Sequence, residues 1–222
     1  GVPLQFDRAY TEGISRLTPY DISHAEALGY RVKHLGIARS CEDGIELRVH
    51  PTLVPENNLI AKVDGVTNAI LVDGDAVGQT MYHGPGAGDE ATASSVIADL
   101  VDVARVVNSG SEQRIPYLGF ESEAVTDHEI LSPDEFRSAY YLRIQALDKP
   151  GVLAKIASIM SEQGINIESI MQKESELHDG HIPLILLTHT VLEKQVNRAI
   201  SEIEALPEVE DQVVRIRAEN FL

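Results

Sequence analysis

The sequence contains little cysteine and few aromatic residues. Of its 222 residues, one is cysteine, none is tryptophan and 5% are aromatic. Because a single cysteine, Cys41, cannot form a disulfide within the chain, a disulfide-stapled fold is excluded and a reducing, cytoplasmic location is favoured. We expect Cys41 to act as a small apolar residue at the end of a strand.

Cationic side chains are also scarce. Lysine and arginine together number 18 against 35 aspartates and glutamates, which gives a formal net charge of −17. Nucleic acids are bound mainly through lysine and arginine, and anionic membrane surfaces attract basic patches. The charge balance therefore predicts neither a nucleic-acid partner nor a membrane partner, and an acidity of this kind serves solubility.

Long apolar runs and targeting signals are absent as well. The longest uncharged apolar stretches, such as Ile182 to Leu187, are far shorter than the roughly 20 residues that a membrane helix needs. The first seven residues have neither the basic nor the apolar region of a signal peptide, and there is no starting methionine. We expect the chain to begin inside a longer protein.

The eight histidines do not follow a metal-ligand pattern. Zinc sites on helices typically use pairs such as His-x-x-x-His, and no such pair occurs here. We therefore expect structural or surface roles, and no metal site, for His50, His83, His178, His181 and His189.

Up to residue 108 the sequence predicts a mixture of strands and helices. Thr18-Pro19-Tyr20-Asp21 is typical of a helix start, and Gly29 predicts the end of the helix that covers Ile22 to Leu28. Apolar residues at helical spacing predict a longer helix from Ala91 to Val107. Alternating apolar and polar residues predict four strands of a mixed sheet: Tyr30 to Ala38, Ile45 to His50, Val66 to Val72 and Ala76 to Tyr82.

Residues 109–139 have no sustained periodicity and contain Ser109-Gly110-Ser111 and two prolines, which is typical of a connection between domains. We therefore assign residues 1–108 to a first domain, 109–139 to a linker and 140–217 to a second domain.

The second domain has a regular element order. In sequence, its predicted elements are a strand from Tyr141 to Leu147, a helix from Pro150 to Gln163, a strand from Ile165 to Gln172, a turn from Glu174 to His181, a strand from Pro183 to His189, a helix from Leu192 to Leu206 and a strand from Val209 to Ile216. The order β-α-β-β-α-β predicts a ferredoxin-like antiparallel sheet with both helices on one face. The expected fold class is α+β, a mixed-sheet domain followed by this ferredoxin-like domain.

The turn between the first strand and helix of the second domain carries the motif Asp148-Lys149-Pro150-Gly151-Val152-Leu153. Gly151 lets backbone approach a ligand, and the free N–H groups of the helix start can hold a carboxylate. Together with Gly164-Ile165-Asn166-Ile167, the motif resembles the signature of ACT domains, which bind amino acids between paired modules. The resemblance implies an effector site at Asp148, Gly151, Val152, Leu153 and Asn166. A tight turn without a ligand, capped by Asp148, remains the alternative.

A second glycine-rich turn, from Tyr82 to Val96, joins a predicted strand to a predicted helix. Alone it is a weak signal for an anion cradle, because it is neither a Walker A loop nor a Rossmann fingerprint. The run resembles the Gly-x-Gly-Ala-Gly-x-x-Pro-Thr-Ala-Ser stretch of homoserine dehydrogenases, although Ala91 stands where that family commonly has proline. The resemblance implies an NAD or NADP contact at Gly84, Gly86, Ala87, Gly88 and Thr92, and a flexible hinge is the alternative.

Further segments resemble the same family in the same order. They are Glu12 to Ser15, Leu28 to Tyr30, Lys33 to Ala38, Arg48 to Pro55 and Val66 to Ile70. The family's Rossmann fingerprint is absent, and its catalytic Asp and Lys fall on a segment before Gly1. We therefore expect no catalytic residue in this chain, since Lys33 and Lys62 lie in the wrong context.

The resemblance implies a function for the complete protein and a role for this portion. The protein would be an NAD(P)-dependent oxidoreductase that interconverts L-homoserine and L-aspartate 4-semialdehyde. This portion would supply a homodimer or larger homo-oligomer, part of the active-site wall and feedback regulation by an amino acid, with L-threonine expected. Two alternatives stay open: a non-enzymatic amino-acid sensor and a structural dimerisation module.

Overall fold

The computed structural model describes residues 2–3, 5–108, 119–120, 122–172 and 180–221. They form two compact units. The sheet unit comprises Gln5–Glu56 and His128–Leu222, and the hairpin–helix unit comprises Gly1–Leu4 and Asn57–Asp127. No helix of the described residues is long and apolar enough to span a membrane.

The sheet unit begins with a short strand, β1 (Tyr10–Thr11), and a helix, α1 (Pro19–Ala27). Thr18 and Asp21 form a capping box, in which each side chain accepts a hydrogen bond from the other residue's backbone N–H. The helix start predicted at Thr18 to Asp21 is confirmed, and α1 includes three residues before the predicted segment Ile22 to Leu28. Gly29, with φ +81°, follows the helix and lets the chain turn into the next strand.

Strands β2 (Tyr30–Ser40) and β3 (Ile45–Pro55) form an antiparallel hairpin that pairs along its whole length. Both were predicted, but β3 continues five residues beyond the predicted end at His50. Pro51 lacks an N–H group, which normally disfavours a strand interior. The segment stays extended because β3 is flanked on its other edge by β1 and by the last strand of the chain.

The hairpin–helix unit contains strands β4 (Thr67–Gly74) and β5 (Gly78–Pro85) and helix α2 (Asp89–Asn108). Among the described residues, the two strands pair only with each other, as a separate two-stranded antiparallel sheet, so they do not join the mixed sheet that the sequence predicted for them. All three elements lie where the sequence predicts them, within a few residues.

The remaining elements of the sheet unit form the second region. They are β6 (Arg137–Leu147), α3 (Val152–Glu162), β7 (Ile167–Gln172), β8 (His181–Thr188), β9 (Val191–Leu192), α4 (Glu193–Glu204) and β10 (Val209–Ala218). The four long strands are antiparallel in the order β10-β6-β8-β7. Alternate residues of β6, such as Leu142 and Ile144, pack under Ile156 of α3 and Val196 of α4. The predicted α+β fold with a ferredoxin-like region is confirmed.

This sheet does not end at its own four strands, which the sequence did not predict. Strand β3 joins β10 in parallel, with Arg217 opposite Thr52 and Ala218 opposite Leu53. The opposite face of the sheet is also covered, because Tyr141, Ile185 and Ile216 share a buried cluster with Ala25 and its neighbours on α1. The N-terminal strands and helix are thus built into the same sheet and core as the C-terminal region.

The domain limits drawn from the sequence stay a prediction. The two compact units of the structure are divided at other positions, before Gln5, after Glu56 and after Asp127. Residues 109–118 and 121 of the predicted linker lie outside the described residues, as do residues 174–179 of the predicted turn. The last part of the predicted linker is described, and it is hydrogen-bonded to β3. The backbone N–H of Ile45 donates to the carbonyl of Glu129, and the backbone N–H of Leu131 donates to the carbonyl of Ile45, both within 2.9 Å.

A buried ion cluster centres on Arg217 of β10. Its guanidinium donates to both carboxylate oxygens of Glu193, at 2.8 and 2.5 Å, and to Glu12 at 2.9 Å. Arg217 is 1% exposed and the Glu193 side chain 2%. Burial alone would lower the pKa of Arg217, but the hydrogen bonds and charge of Glu193 raise it above its ordinary value, so the cation is retained. The cluster joins β10 to the start of α4 and to the segment after β1.

A second buried cluster lies around Arg48 of β3. Its guanidinium lies 2.8 Å from Glu46 and 2.7 Å from Glu219, and it donates to Ser138 at 3.1 Å. The neighbouring His50 has a pKa lowered to about 4, by burial and by the positive charge of Arg217 and Arg48, and is therefore neutral at pH 7. This cluster joins β3 to the start of β6 and to the residue after β10.

We predict that Arg217→Met lowers the free energy of unfolding by about 3–5 kcal/mol, because it leaves the Glu193 charge buried without its partner. Urea denaturation at pH 7 measures the change. Arg198→Met, on the exposed face of α4, is the matched control and should shift stability by less than about 0.5 kcal/mol. Adding Glu193→Met to Arg217→Met should recover much of the loss; a loss below about 1 kcal/mol in the single variant would contradict the assignment.

A pH dependence follows from the ion pair that holds α1 on the sheet. Burial alone would raise the pKa of Asp21, but hydrogen bonds from Arg143 (2.6 Å) and Thr18 lower it below its ordinary 3.8. A carboxyl group whose pKa is lower in the folded state than in the unfolded state stabilises the protein when the pH is above its unfolded-state pKa. This stabilisation is lost as the pH falls through its folded-state pKa. Asp21→Asn should therefore be less stable at pH 7 and should lose less further stability than the parent between about pH 4 and 2. Glu26 forms a half-exposed surface ion pair with Arg31, so Glu26→Gln should leave the slope of stability against pH unchanged. Equal slopes of stability against pH for Asp21→Asn and the parent would contradict the prediction.

Candidate functional site

The glycine-rich turn of the hairpin–helix unit lies between the end of β5 and the start of α2. Gly86 is fixed by its backbone N–H, which donates to Val66 at 2.7 Å. A Cβ at Gly86 would overlap the carboxamide of Asn68, an exposed side chain that would have to move aside. Gly88 has φ +122°, a conformation that L side chains rarely adopt. These two glycines shape the entry into α2.

The residues predicted to contact the cofactor form one continuous stretch of this turn and the helix that follows. Gly86, Ala87 and Gly88 are exposed, and Gly84 pairs with Asn68 in the hairpin. Thr92 lies in the first turn of α2, where its N–H donates to Gly88 at 2.9 Å. The stretch therefore presents open backbone at a helix N-terminus, which is the geometry that the sequence analysis expected; the cofactor contact stays a prediction.

The charge at this helix start limits what the turn can hold. Asp89 and Glu90 occupy the first turn of α2. Their carboxylates suit the positive end of the helix dipole, but they repel a phosphate placed there. The turn is therefore better suited to a neutral or cationic group than to a pyrophosphate.

Helix α2 has a broad uncovered apolar face. None of its 20 residues is buried. The large apolar side chains with more than two fifths of their surface exposed are Val96, Ile97, Leu100, Val101, Val103 and Val107. An exposed face of this size marks a surface that normally packs against other protein.

The second candidate site is the turn from β6 to α3 in the sheet unit. Gly151 occupies the N-cap of α3 with φ +91°, and none of the described side chains caps the helix. Asp148 is exposed and does not supply the cap that the ligand-free alternative assumed. Val152 is 5% exposed and packs in the core, whereas Leu153 is 41% exposed beside the free helix start. The open backbone N–H groups of this helix start can donate hydrogen bonds to an anionic group such as a carboxylate.

Four of the five predicted effector residues meet at this turn, and the fifth does not. Asn166 precedes β7, whose first residue, Ile167, pairs with Thr188 at the far end of β8. Leu147, next to Asp148, pairs with His181 at the near end of β8. The eight residues of β8 separate the two ends by about 25 Å, at roughly 3.3 Å per residue. Within one chain, Asn166 therefore cannot share a ligand with Asp148.

Sequence reasoning did not single out the buried charged side chains. Glu12 lies in a motif that the sequence analysis noted only for its resemblance, and Arg48 and Arg217 lie in strands where alternation does not reveal which charged residues are buried. Among the described residues, no group of three or more His, Cys, Asp or Glu side chains could hold a metal ion.

Comparison with known proteins gives two family matches. Residues 1–101 match the homoserine dehydrogenase family model, and residues 140–208 match the ACT domain model. A homoserine dehydrogenase of Pseudomonas aeruginosa is 62% identical over 100% of this chain and 51% of its own length. One of Neisseria gonorrhoeae is 47% identical over the same shares. The chain thus spans about half the length of the curated relatives it matches.

A solved structure gives the same result. The crystal structure of a homoserine dehydrogenase from Thiobacillus denitrificans superimposes with a TM-score of 0.88 at 55% sequence identity. The match covers 99% of this chain and 49% of that one.

Proposed function

This chain corresponds to the C-terminal half of the homoserine dehydrogenases, including their ACT domain, and on that premise we propose that the complete protein interconverts L-homoserine and L-aspartate 4-semialdehyde with NAD or NADP. The observation that carries the proposal is the glycine-rich turn at Gly84 to Thr92, with Gly88 at positive φ and an open helix start, in a chain 62% identical to a homoserine dehydrogenase.

The turn fits one part of the cofactor better than the other. The nicotinamide ring supplies the hydride chemistry when the cofactor is bound. It is neutral in the reduced form and cationic in the oxidised form, so Asp89 and Glu90 do not repel it, whereas they disfavour the pyrophosphate. In the proposal, Gly84, Gly86, Ala87, Gly88 and Thr92 form a wall beside the nicotinamide, and the exposed face of α2 packs against the N-terminal half of the protein.

We predict that the complete protein oxidises homoserine with NAD or NADP, and that the 222-residue chain alone shows no turnover with either. Absorbance of the reduced nicotinamide measures both. Gly88→Ala in the complete protein should lower kcat/KM by roughly tenfold or more, about 1.4 kcal/mol, because Gly88 has φ +122°, a conformation that L side chains rarely adopt, so the turn must change shape. A Cβ added at Gly84 would meet no atom of this chain within 4 Å, so a loss of activity in Gly84→Ala would indicate a neighbour from outside the chain. Cofactor-dependent turnover by the chain alone would contradict the assignment of the catalytic residues to the other half.

The ACT region supports regulation by an amino acid at the interface of two copies. Asp148, Gly151, Val152 and Leu153 form one end of the proposed site. Asn166 lies at the other end of the same sheet, so it reaches this ligand only from a second, oppositely oriented copy. Strand β7, which follows Asn166, is the outermost strand of the sheet and is available for such pairing. The five effector residues therefore belong to one site only in a dimer.

We predict that the chain is a dimer or a larger homo-oligomer in solution. Light scattering combined with size-exclusion chromatography at micromolar concentration should give at least twice the mass of one chain, 24.3 kDa. A mass of one chain would exclude the shared site and restrict any effector to the Asp148 turn.

We predict that L-threonine binds at this site and raises the melting temperature of the chain. Its carboxylate suits the helix start after Gly151, where the dipole contributes roughly 0.3–1 kcal/mol, and Asp148 or Asn166 can accept from its ammonium. At a hundred times Kd the stabilisation is about 2.7 kcal/mol. Serine, methionine and lysine serve as comparison ligands in the same melts. Calorimetry should show weaker binding to Asp148→Ala and unchanged binding to Glu162→Ala, an exposed residue at the far end of α3. A shift with another amino acid alone would change the effector, and no shift with any would remove the regulatory part of the proposal.

A further inference from the structure

An open groove of about 480 Å³ lies in the sheet unit, away from the β6–α3 turn. One wall is the segment from Tyr10 to Leu17, which connects β1 to α1, and the other wall is formed by α4 and β10. The side chains of Leu17, Ile200 and Val213 give it an apolar base. The size is within the range of small-molecule sites.

Two of the charges in the groove are already neutralised by the protein. Glu12 accepts from Tyr10 at 2.6 Å and from Arg217 at 2.9 Å. Arg215 donates to Asn197 at 2.5 Å and lies 3.3 Å from Glu193. Burial alone would raise the pKa of Glu12, but the hydrogen bonds from Tyr10 and Arg217 lower it, so this carboxylate stays ionised. These groups form a fixed, charged back wall.

Two further charges are available to a ligand. Arg16 is exposed, lines the groove and has no ionic or hydrogen-bonding partner among the residues that the structure describes. Glu204 uses one carboxylate oxygen, Oε1, to accept from the backbone N–H of Val213 at 2.8 Å, and within the described part of the chain its second oxygen has no partner. The groove thus offers one cation and one carboxylate oxygen, with the hydroxyl of Ser15 and the amide of Gln212 beside them.

We propose that this groove binds a small zwitterion of the α-amino-acid class, with its carboxylate on Arg16 and its ammonium on Glu204. A simple anion is disfavoured because Glu12 and Glu204 also line the groove, and a simple cation is disfavoured by Arg16 and Arg215. A molecule that carries both charges satisfies both groups, and the apolar base accommodates a short side chain. The site is distinct from the one proposed at Asp148, and it rests on the proposed regulatory function only for the choice of amino acids tested.

Such a ligand would add a connection between two parts of the sheet unit that are already joined through Glu12 and Tyr10. It would link the segment that leads into α1 with α4 and β10, directly beside the cluster of Arg217 and Glu193. A ligand that binds only the folded state stabilises it by mass action. Occupancy of the groove should therefore be visible as a rise in melting temperature.

Calorimetry on the 222-residue chain tests the proposal with threonine, serine, methionine and homoserine as probes. The N-acetyl derivative and the methyl ester of each ligand that binds remove one charge at a time, and each should bind about tenfold more weakly or worse than the free amino acid. Arg16→Gln and Glu204→Gln should weaken binding to a similar degree. The glutamine at 204 keeps a carbonyl oxygen for Val213, so the fold is retained, which an unchanged urea midpoint verifies. Arg198→Gln, also on α4 but outside the groove, should bind as the parent does.

The outcomes separate this site from the other proposals. Binding that is unaffected in both Arg16→Gln and Glu204→Gln overturns it, and binding that is lost only in Asp148→Ala overturns it in favour of the β6–α3 turn. Equal affinity for the singly charged derivatives overturns the zwitterion class, and no binding by any probe overturns the site. None of these results bears on turnover by the complete protein, which is measured separately.

Discussion

The ion pair between Arg217 and Glu193 is the constraint on which the sheet unit depends. Both side chains are almost fully buried, so neither can lose its partner without leaving a charge in the core. Arg217 lies on β10 and Glu193 begins α4, while Glu12, the third member, follows β1. The pair therefore fixes the ACT helix, the last strand and the N-terminal segment relative to each other. Hydrophobic packing would tolerate small displacements among these elements, but a buried bidentate ion pair does not.

The same region ties the ACT sheet to the N-terminal elements of the sheet unit. Strand β3 pairs directly with β10, and α1 covers the sheet face that the ACT helices leave open. Tyr141 and Arg143, both on β6, bond to Asp21 of α1 at 3.0 and 2.6 Å. A change in the ACT sheet must therefore displace β3 and α1 as well, since they share its backbone hydrogen bonds and its core.

Much of the fold could be predicted from the sequence, because its elements carry local signals. The capping residues at Thr18, the glycine after α1 and the helical spacing in α2, α3 and α4 all depend on a few neighbouring residues. The joining of β3 to β10 could not be predicted, because it depends on a pairing between residues more than 160 positions apart. The burial of Arg48 and Arg217 was hidden for the same reason, since an arginine in an alternating strand is ordinarily assigned to the exposed face.

The candidate sites differ in the same way, because two of them are formed by neighbouring residues and one is formed by residues that are far apart in the sequence. The glycine-rich turn and the β6–α3 turn were found because each is contiguous in sequence and each requires glycine for a local reason. The groove beside Glu12 was not found, because its walls come from residues near both ends of the chain. Asn166 shows the opposite case, because the sequence motif groups it with Asp148 although the two residues lie at opposite ends of the sheet in one chain. The distance across β8 is the reason why the proposed effector site takes Asp148 from one copy and Asn166 from another.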